Sequence, residues 1–250
     1  MKILGVIPAR WASSRFPGKP LVKIGSKTMI ERVYLQALKS LDYVVVATDD
    51  ERIFKEVKGF GGQVVMTSEN HQSGTDRCME ALDIFEQETG NKFEVVINIQ
   101  GDEPFIQPQQ IKDIAVSFKD ETTEISTLIK KITEPEVVFD PSCPKVIMNT
   151  NNEAIYFSRS TIPYIQNADK KDWFNKFTYY EHLGLYGYRS DILRKITQLA
   201  PSSLEIAESL EQNRWLENGF KIRVLETEYE NISIDTQEDL DKILERGFED

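Results

Sequence analysis

Three cations and two aspartates stand where they could handle a polyphosphate. Arg10, Arg15 and Lys19 fall in one short stretch free of Asp and Glu, in a chain whose net charge is −11. Ser13 and Ser14 add hydroxyls to it. Fixed cations and exposed backbone N–H groups together favour concentrated negative charge such as a triphosphate. Two acidic turns each follow an apolar run: Asn98-Ile99-Gln100-Gly101-Asp102-Glu103-Pro104 and Ile232-Ser233-Ile234-Asp235-Thr236. Asp102 and Asp235 are candidates to share one hard cation. Mg²⁺ takes one or two protein carboxylates and fills its other positions with phosphate oxygens and water. Both aspartates also admit plainer roles, Asp102 in shaping a turn and Asp235, with Glu238, in capping the last helix.

The basic stretch is not a Walker loop. Gly18-Lys19 is followed by Pro20, where that motif needs Ser or Thr and a helix start, and the preceding glycine is Gly5. Pro17 and Pro20 instead stiffen the loop. The segment His71-Gln72-Ser73-Gly74-Thr75-Asp76-Arg77 joins a strand to a helix. Its glycine allows a planar ligand close to the backbone, its hydroxyls can bond a base or ribose, and Arg77 can neutralise phosphate. The same residues also read as a helix cap with a solvated Arg77. In the second half, Arg159 ends a strand-like run, His182 and Tyr186 share a face with Gly184 by the period of two, and Glu211-Gln212 lies within a helix. Arginine clamps a planar carboxylate, and imidazole, phenol and amide groups suit sugar hydroxyls. Ordinary strand packing accounts for His182 and Tyr186 equally well.

The elements that must position these groups alternate. Strands are expected at Lys2–Ile7, Tyr43–Ala47, Gln63–Thr67 and 95–99, separated by helices over 29–40, 51–58 and 76–88. Thr28 with Glu31 has capping-box spacing, and Ser73 or Thr75 can cap the third helix. This cadence predicts an α/β fold with a mostly parallel sheet and crossover helices, whose carboxyl edge carries the loops named above. The middle reads as an antiparallel insertion, with strands at Ile125–Ile132, Lys145–Met148, Ala154–Phe157 and Gly184–Tyr188, and a mobile segment over 164–180. A helix from Ser202 to Asn218, short strands at Lys221–Glu226 and Ile232–Ile234, and a closing helix from Thr236 complete the chain. With 250 residues and no repeat or linker, one domain over 1–250 is expected, with the insertion at roughly 125–190.

An excess of 41 acidic over 30 basic residues excludes the extended basic face of a nucleic-acid binder. No apolar run approaches the roughly 20 residues of a membrane span. No secretory signal follows Met1, and two cysteines, Cys78 and Cys143, make neither a disulfide framework nor a zinc site. A cytoplasmic protein is expected.

Taken together, Pro8-Ala9-Arg10 through Arg15-Phe16-Pro17-Gly18-Lys19-Pro20, the 71–77 segment, Gln100-Gly101-Asp102-Glu103-Pro104, Tyr156-Phe157-Ser158-Arg159, His182 to Tyr188, Leu210-Glu211-Gln212 and Asp235-Thr236-Gln237-Glu238-Asp239-Leu240 strongly resemble the 3-deoxy-manno-octulosonate (Kdo) cytidylyltransferases. The order is collinear over nearly the whole chain. The resemblance implies a Rossmann-like nucleotidyltransferase fold and a homodimer. It also implies a Mg²⁺-dependent reaction of CTP with Kdo to CMP-Kdo and pyrophosphate, for lipopolysaccharide. Arg10, Arg15 and Lys19 would then hold the triphosphate, Ser14 and Arg77 would join the nucleotide-binding set, and Ser73, Gly74 and Thr75 would face the cytidine. Gln100 would lie near nucleotide or sugar, and Asp102 and Asp235 would bind the metal. Arg159, His182, Tyr186, Glu211 and Gln212 would form the sugar-acid pocket, with Lys19, Arg10, Asp102 and Asp235 carrying the chemistry. The family commonly has tyrosine at Trp11, leucine at Phe16 and histidine at Ile206. The alternatives are a cytidylyltransferase for another 2-keto sugar acid (8-amino-Kdo or neuraminate) and a non-catalytic nucleotide-binding protein.

Overall fold

Strand β1 (Ile3–Ala9) is a run of apolar residues whose Leu4, Val6 and Ile7 are fully buried. It is followed by a small hairpin of β2 (Lys23–Ile24) and β3 (Lys27–Thr28), then α1 (Met29–Leu38), β4 (Tyr43–Thr48), α2 (Glu51–Gly59), β5 (Val64–Met66), α3 (Gly74–Thr89), β6 (Val95–Asn98) and α4 (Pro108–Ser117). The computed structural model describes residues 1–12 and 16–245, so Ser14 and Arg15 of the basic stretch lie outside the described residues. The chain divides into two compact units, Met1–Ala115 with Asn231–Asp250, and Val116–Glu230.

In the first unit β1 pairs in parallel with β4 (Leu4 opposite Tyr43, Ala9 opposite Thr48) and with β6 (Ile3 opposite Val95, Val6 opposite Asn98), and β4 pairs in parallel with β5. Parallel neighbours require crossovers, which α1, α2 and α3 supply. All four strands therefore end at one edge, and residues 10–12, 49–50, 67–73 and 99–102 leave from it. Ligands bind at this edge in open α/β sheets.

The second unit is built on β7 (Ile125–Lys131). It pairs antiparallel with β10 (Tyr180–Arg189) and in parallel with β11 (Ile222–Glu226). Two further antiparallel pairings join β10 to β8 (Lys145–Met148) and β8 to β9 (Ala154–Ser158). Short helices α5 (Trp173–Lys176), α6 (Ser190–Ile196), α7 (Ser203–Glu208) and α8 (Gln212–Glu217) complete it, and α9 (Gln237–Glu245) returns to the first unit. The chain is α/β with a mostly parallel sheet and an antiparallel set of strands, as its patterning requires.

Four expectations need correction. Thr28 stands at the N-cap of α1, but its hydroxyl caps nothing; the Met29 amide is met instead by the Val22 carbonyl at 2.8 Å, delivered by the hairpin. The helix expected from Ser202 to Asn218 breaks at Ser209, a left-handed residue with φ of 52°. Ile232–Ile234 is not a strand: Ile234 is fully buried, and its amide reaches the Asp102 carbonyl at 3.0 Å. The 164–180 segment is anchored, because Trp173 is buried against Ile132, Val138 and Tyr179. No helix of the described residues is long and apolar enough to cross a membrane.

Candidate active site

Arg10 and Lys19 come from the two ends of the loop that leaves β1. Gly18 closes that loop with φ of 75°, a left-handed conformation that glycine tolerates, and its amide donates to the Trp11 carbonyl at 3.0 Å. A Cβ on Gly18 would sit 2.8 Å from the Trp11 ring. The same ring carries the Arg52 guanidinium, 3.3 Å from its centroid, and Arg52 is itself held by Asp50 at 2.6 Å. The loop is thus tied to the start of α2.

Lys19 then turns inward. Its Nζ donates to Asp102 Oδ2 at 2.7 Å and to Asp235 Oδ1 at 3.1 Å, and its side chain is only 12% exposed. Asp102 reaches this point through a tight contact behind it, since a Cβ on Gly101 would fall 2.7 Å from the Pro8 carbonyl. Asp235 is held by the Ile234-to-Asp102 backbone bond and stands just before α9. That helix is capped by Asp239, whose Oδ2 accepts from the Thr236 amide at 2.9 Å, so the Asp235 carboxylate is not the cap. Two carboxylates from distant parts of the chain converge on one cation. The pair fits Mg²⁺, which needs no more protein carboxylates than these; no cluster of three or more His, Cys, Asp or Glu suited to a metal occurs among the described residues.

Arg10, Lys19 and Asp102 border a pocket of about 310 Å³ lined also by Gln72, Ser73, Gly74, Arg77 and Gln100, and Asp235 reaches it only through Lys19. That volume is at the small end of ligand sites. Ser73 caps α3 through its Oγ, which accepts from the Asp76 amide at 3.1 Å, so the positive end of a long helix borders the pocket. Arg10 donates to the His71 carbonyl. Burial, with the Arg77 charge beside it, draws the Arg10 pKa below its ordinary value. Arg77 is not solvated surface. It is fully buried, bonded at 2.5 Å to both Thr67 Oγ1 and Asp49 Oδ2 at the ends of β5 and β4. It therefore forms a pocket wall whose charge is already matched. Thr75, expected to face the nucleoside, is buried and lines no part of the pocket.

One group here has no counterpart in the sequence reading. Glu103, beside Asp102, is pushed up to about 8 by burial and by the Asp102 charge, so it is largely neutral at pH 7. Asn231 donates to it at 2.9 Å and accepts from Gln110 at 2.7 Å. This chain of bonds pins the segment bearing Asp235 to the turn bearing Asp102. The adjacent carboxylates at 102 and 103 were its only sequence signal.

The five expected sugar-acid residues lie in the second unit, where they are less gathered. His182 and Tyr186 are neighbours, with ring centroids 5.2 Å apart, although β10 bulges between Leu183 and Tyr186 and takes Gly184 out of the simple period. His182 Nε2 lies 3.1 Å from Thr127 Oγ1, and burial pushes its pKa down to about 3. Burial, reinforced by the Glu211 charge, raises the Tyr186 phenol well above its ordinary value. Gln212 is buried at the start of α8. Arg159 opens instead onto a cavity of about 450 Å³ with Phe139, Pro141, Tyr164, Lys170 and Trp173, and no other member of the five lines it.

A family model described as cytidylyltransferase matches residues 4–224. The chain is 56% identical to the 3-deoxy-manno-octulosonate cytidylyltransferase of Parabacteroides distasonis, over 98% of this chain and 97% of that protein. The namesake from Bacteroides thetaiotaomicron is 57% identical over 96% of each. The chain belongs to the 3-deoxy-manno-octulosonate cytidylyltransferase family. A solved structure of CMP:2-keto-3-deoxy-manno-octonic acid synthetase complexed with CTP superposes with a TM-score of 0.88 at 40% identity, covering 97% of each chain. Membership makes the chain a nucleotidyltransferase, and the resemblance drawn from its motifs holds over nearly all of its length.

Proposed function

We propose that this cytidylyltransferase couples CTP to Kdo, releasing pyrophosphate and CMP-Kdo for lipopolysaccharide. The observation that carries the reading is Lys19 Nζ held between Asp102 and Asp235 at the rim of the pocket, 2.7 and 3.1 Å from their oxygens. Phosphoryl-transfer sites work chiefly by positioning and charge. The anomeric hydroxyl of Kdo attacks the α-phosphorus, the bond to the β-phosphate oxygen breaks, and the hydroxyl proton is lost to solvent. Lys19 and Arg10 stabilise charge gathering on the departing pyrophosphate, an effect of a few kcal/mol per well-placed donor. Ser73, Gly74 and Gln100 border the nucleotide. Asp102 and Asp235 would hold Mg²⁺, which when bound supplies charge neutralisation at the phosphate oxygens and a more acidic sugar hydroxyl.

Arg159, His182, Tyr186, Glu211 and Gln212 are assigned to the sugar acid, with Arg159 on its carboxylate. The residue types and the family motifs support this, and it gives the second unit, which contains 125–190, a sugar-binding role. The same reading has the enzyme working as a cytoplasmic homodimer. Pyrophosphate release from CTP and Mg²⁺ with Kdo, 8-amino-Kdo and neuraminate supplied separately tests it. Release with Kdo is expected. Preference for the amino sugar would keep the chemistry and change the acceptor, while CTP binding without release on any acceptor would favour a non-catalytic protein.

A further inference from the structure

The Tyr156–Arg159 motif is bound along its length by two side chains from α7 and α8. Asn213, fully buried, treats Phe157 as a strand neighbour would, accepting from its amide at 3.3 Å and donating to its carbonyl at 3.0 Å. Glu208 does the rest. Its carboxylate accepts from Ser158 Oγ at 2.6 Å, from the Arg159 amide at 2.9 Å and from the Tyr156 hydroxyl at 3.2 Å. The two hydroxyls of the motif are therefore donors to a protein carboxylate.

The same residue also holds the guanidinium. The Glu208 carbonyl accepts from Arg159 Nε at 2.8 Å, while Nη1 donates to the Pro141 carbonyl at 3.0 Å. Burial raises the Glu208 pKa, but the bonds from Ser158, the Arg159 amide and Tyr156 outweigh it and leave the carboxyl below its ordinary range. It is ionised at neutral pH, so its bonds are the stronger, charge-assisted kind. Glu208 ends α7, Ser209 follows in the left-handed region, and Glu211-Gln212 comes directly after. One residue therefore fixes both the end of β9 and the corner that leads to the other expected sugar-acid residues.

We infer that the Glu208 carboxylate is a positioning group for the sugar acid, pinning the Ser158–Arg159 backbone from which the guanidinium projects and setting the place of Glu211-Gln212 through the α7–α8 corner. This rests on the assignment of Arg159 to the sugar carboxylate. An arginine otherwise samples many rotamers, and a misplacement of about 1 Å at a reacting site can cost roughly 100-fold.

The test is a set of full-length variants, Glu208→Ala, Glu208→Gln, Arg159→Ala and the double alanine, with KM for Kdo and for CTP measured separately alongside the urea midpoint. Glu208→Ala should raise the Kdo KM roughly 10- to 100-fold with the CTP KM nearly unchanged. Glu208→Gln, which keeps the length and one acceptor oxygen, should recover part of that. Added to Arg159→Ala, Glu208→Ala should cost clearly less than it does alone, because the share of its effect that passes through the guanidinium is already lost and only the share through Glu211-Gln212 remains. Ser158→Ala removes one bond to the carboxylate and serves if Glu208→Ala does not fold; it should raise the Kdo KM in the same direction. Additive losses in the double variant, or equal losses for CTP and Kdo, would overturn the positioning role. If Arg159→Ala itself spares the Kdo KM, the assignment of Arg159 fails and takes the inference with it; if Arg159→Ala raises it and neither Glu208→Ala nor Ser158→Ala does, the inference alone fails.

Discussion

Thr236 and Asp239 cap α9 reciprocally: the Thr236 hydroxyl accepts from the Asp239 amide at 3.2 Å, and the Asp239 carboxylate accepts from the Thr236 amide at 2.9 Å. The helix start is complete without Asp235, whose carboxylate is left to face Lys19. Thr236→Ala should therefore cost about 1 kcal/mol of stability and leave turnover near normal. Asp235→Asn should lower kcat by roughly 100-fold or more with little change in the urea midpoint. The opposite pattern, stability lost and turnover kept on changing Asp235, would return that residue to a capping role.

Lys19 is the cation that holds two like charges together. Lys19→Met should reduce kcat by roughly 100-fold and leave the KM for the sugar acid nearly unchanged. With the ammonium gone, the paired carboxylates should also make thermal stability respond more steeply to added Mg²⁺ than in the unchanged protein. A rise in sugar KM alone, with kcat intact, would contradict a phosphate role. A chelator should stop pyrophosphate release while leaving the circular dichroism spectrum as it was, and Mg²⁺ should restore it.

Glycine is needed at two positions here for different reasons, which substitution separates. Gly101→Ala would drive a methyl to within 2.7 Å of the Pro8 carbonyl, forcing the end of β1 away from the Asp102 turn. A loss of about 1–3 kcal/mol is expected, together with most of the activity. Gly61 is left-handed, with φ of 80° and nothing within 4 Å of an added Cβ. Gly61→Ala should cost about 1–2 kcal/mol and leave kcat and both KM values unchanged. Equal loss of activity in the two would mean that the close approach at Gly101 does not set the site.

Burial of His182 makes stability fall in acid. The unfolded imidazole binds a proton below about 6.5, whereas the folded one does so only at about 3. Between those values the unfolded state holds more protons. The contribution is whole above 6.5 and is lost as pH falls toward 3, by up to about 1.4 kcal/mol per pH unit. His182→Gln keeps a group for Thr127 but does not titrate. Between about pH 7.5 and about pH 5, its urea midpoint should fall less than that of the unchanged protein; equal falls would show that His182 does not drive the acid loss.

Much of the fold was legible because parallel strands buried on both faces are continuous apolar runs, as in β1, β4 and β6. The β8 strand at Lys145–Met148 was read to the residue. α4 went unread, since its first turn, Pro108-Gln109-Gln110, is polar and its buried face rests on Gln110, Ile111 and Ile114 alone. The break between α7 and α8 was hidden by apolar spacing at Leu204, Ala207 and Leu210, of which only Leu210 is buried, and by a serine where glycine would mark a left-handed turn. In the site, residue type and loop position disclosed Arg10, Lys19, Asp102 and Asp235. The burial of Arg77 was not legible, because its partners, Asp49 and Thr67, are supplied by other strand ends, and such pairings leave no local pattern.

The stack of Arg52 on Trp11 gives this protein a built-in optical probe. Of its three tryptophans, Trp173 and Trp215 are buried, 3% and 1% exposed, in the second unit. Trp11 alone belongs to the first, stacked on the Arg52 guanidinium and close to Gly18 in the loop between Arg10 and Lys19. Indole emission is sensitive to an adjacent charge, so a ligand that draws on this loop should change the colour or yield of Trp11. Nucleotide arrival can then be followed by fluorescence with no label attached, and Trp11→Phe is the variant in which that signal disappears.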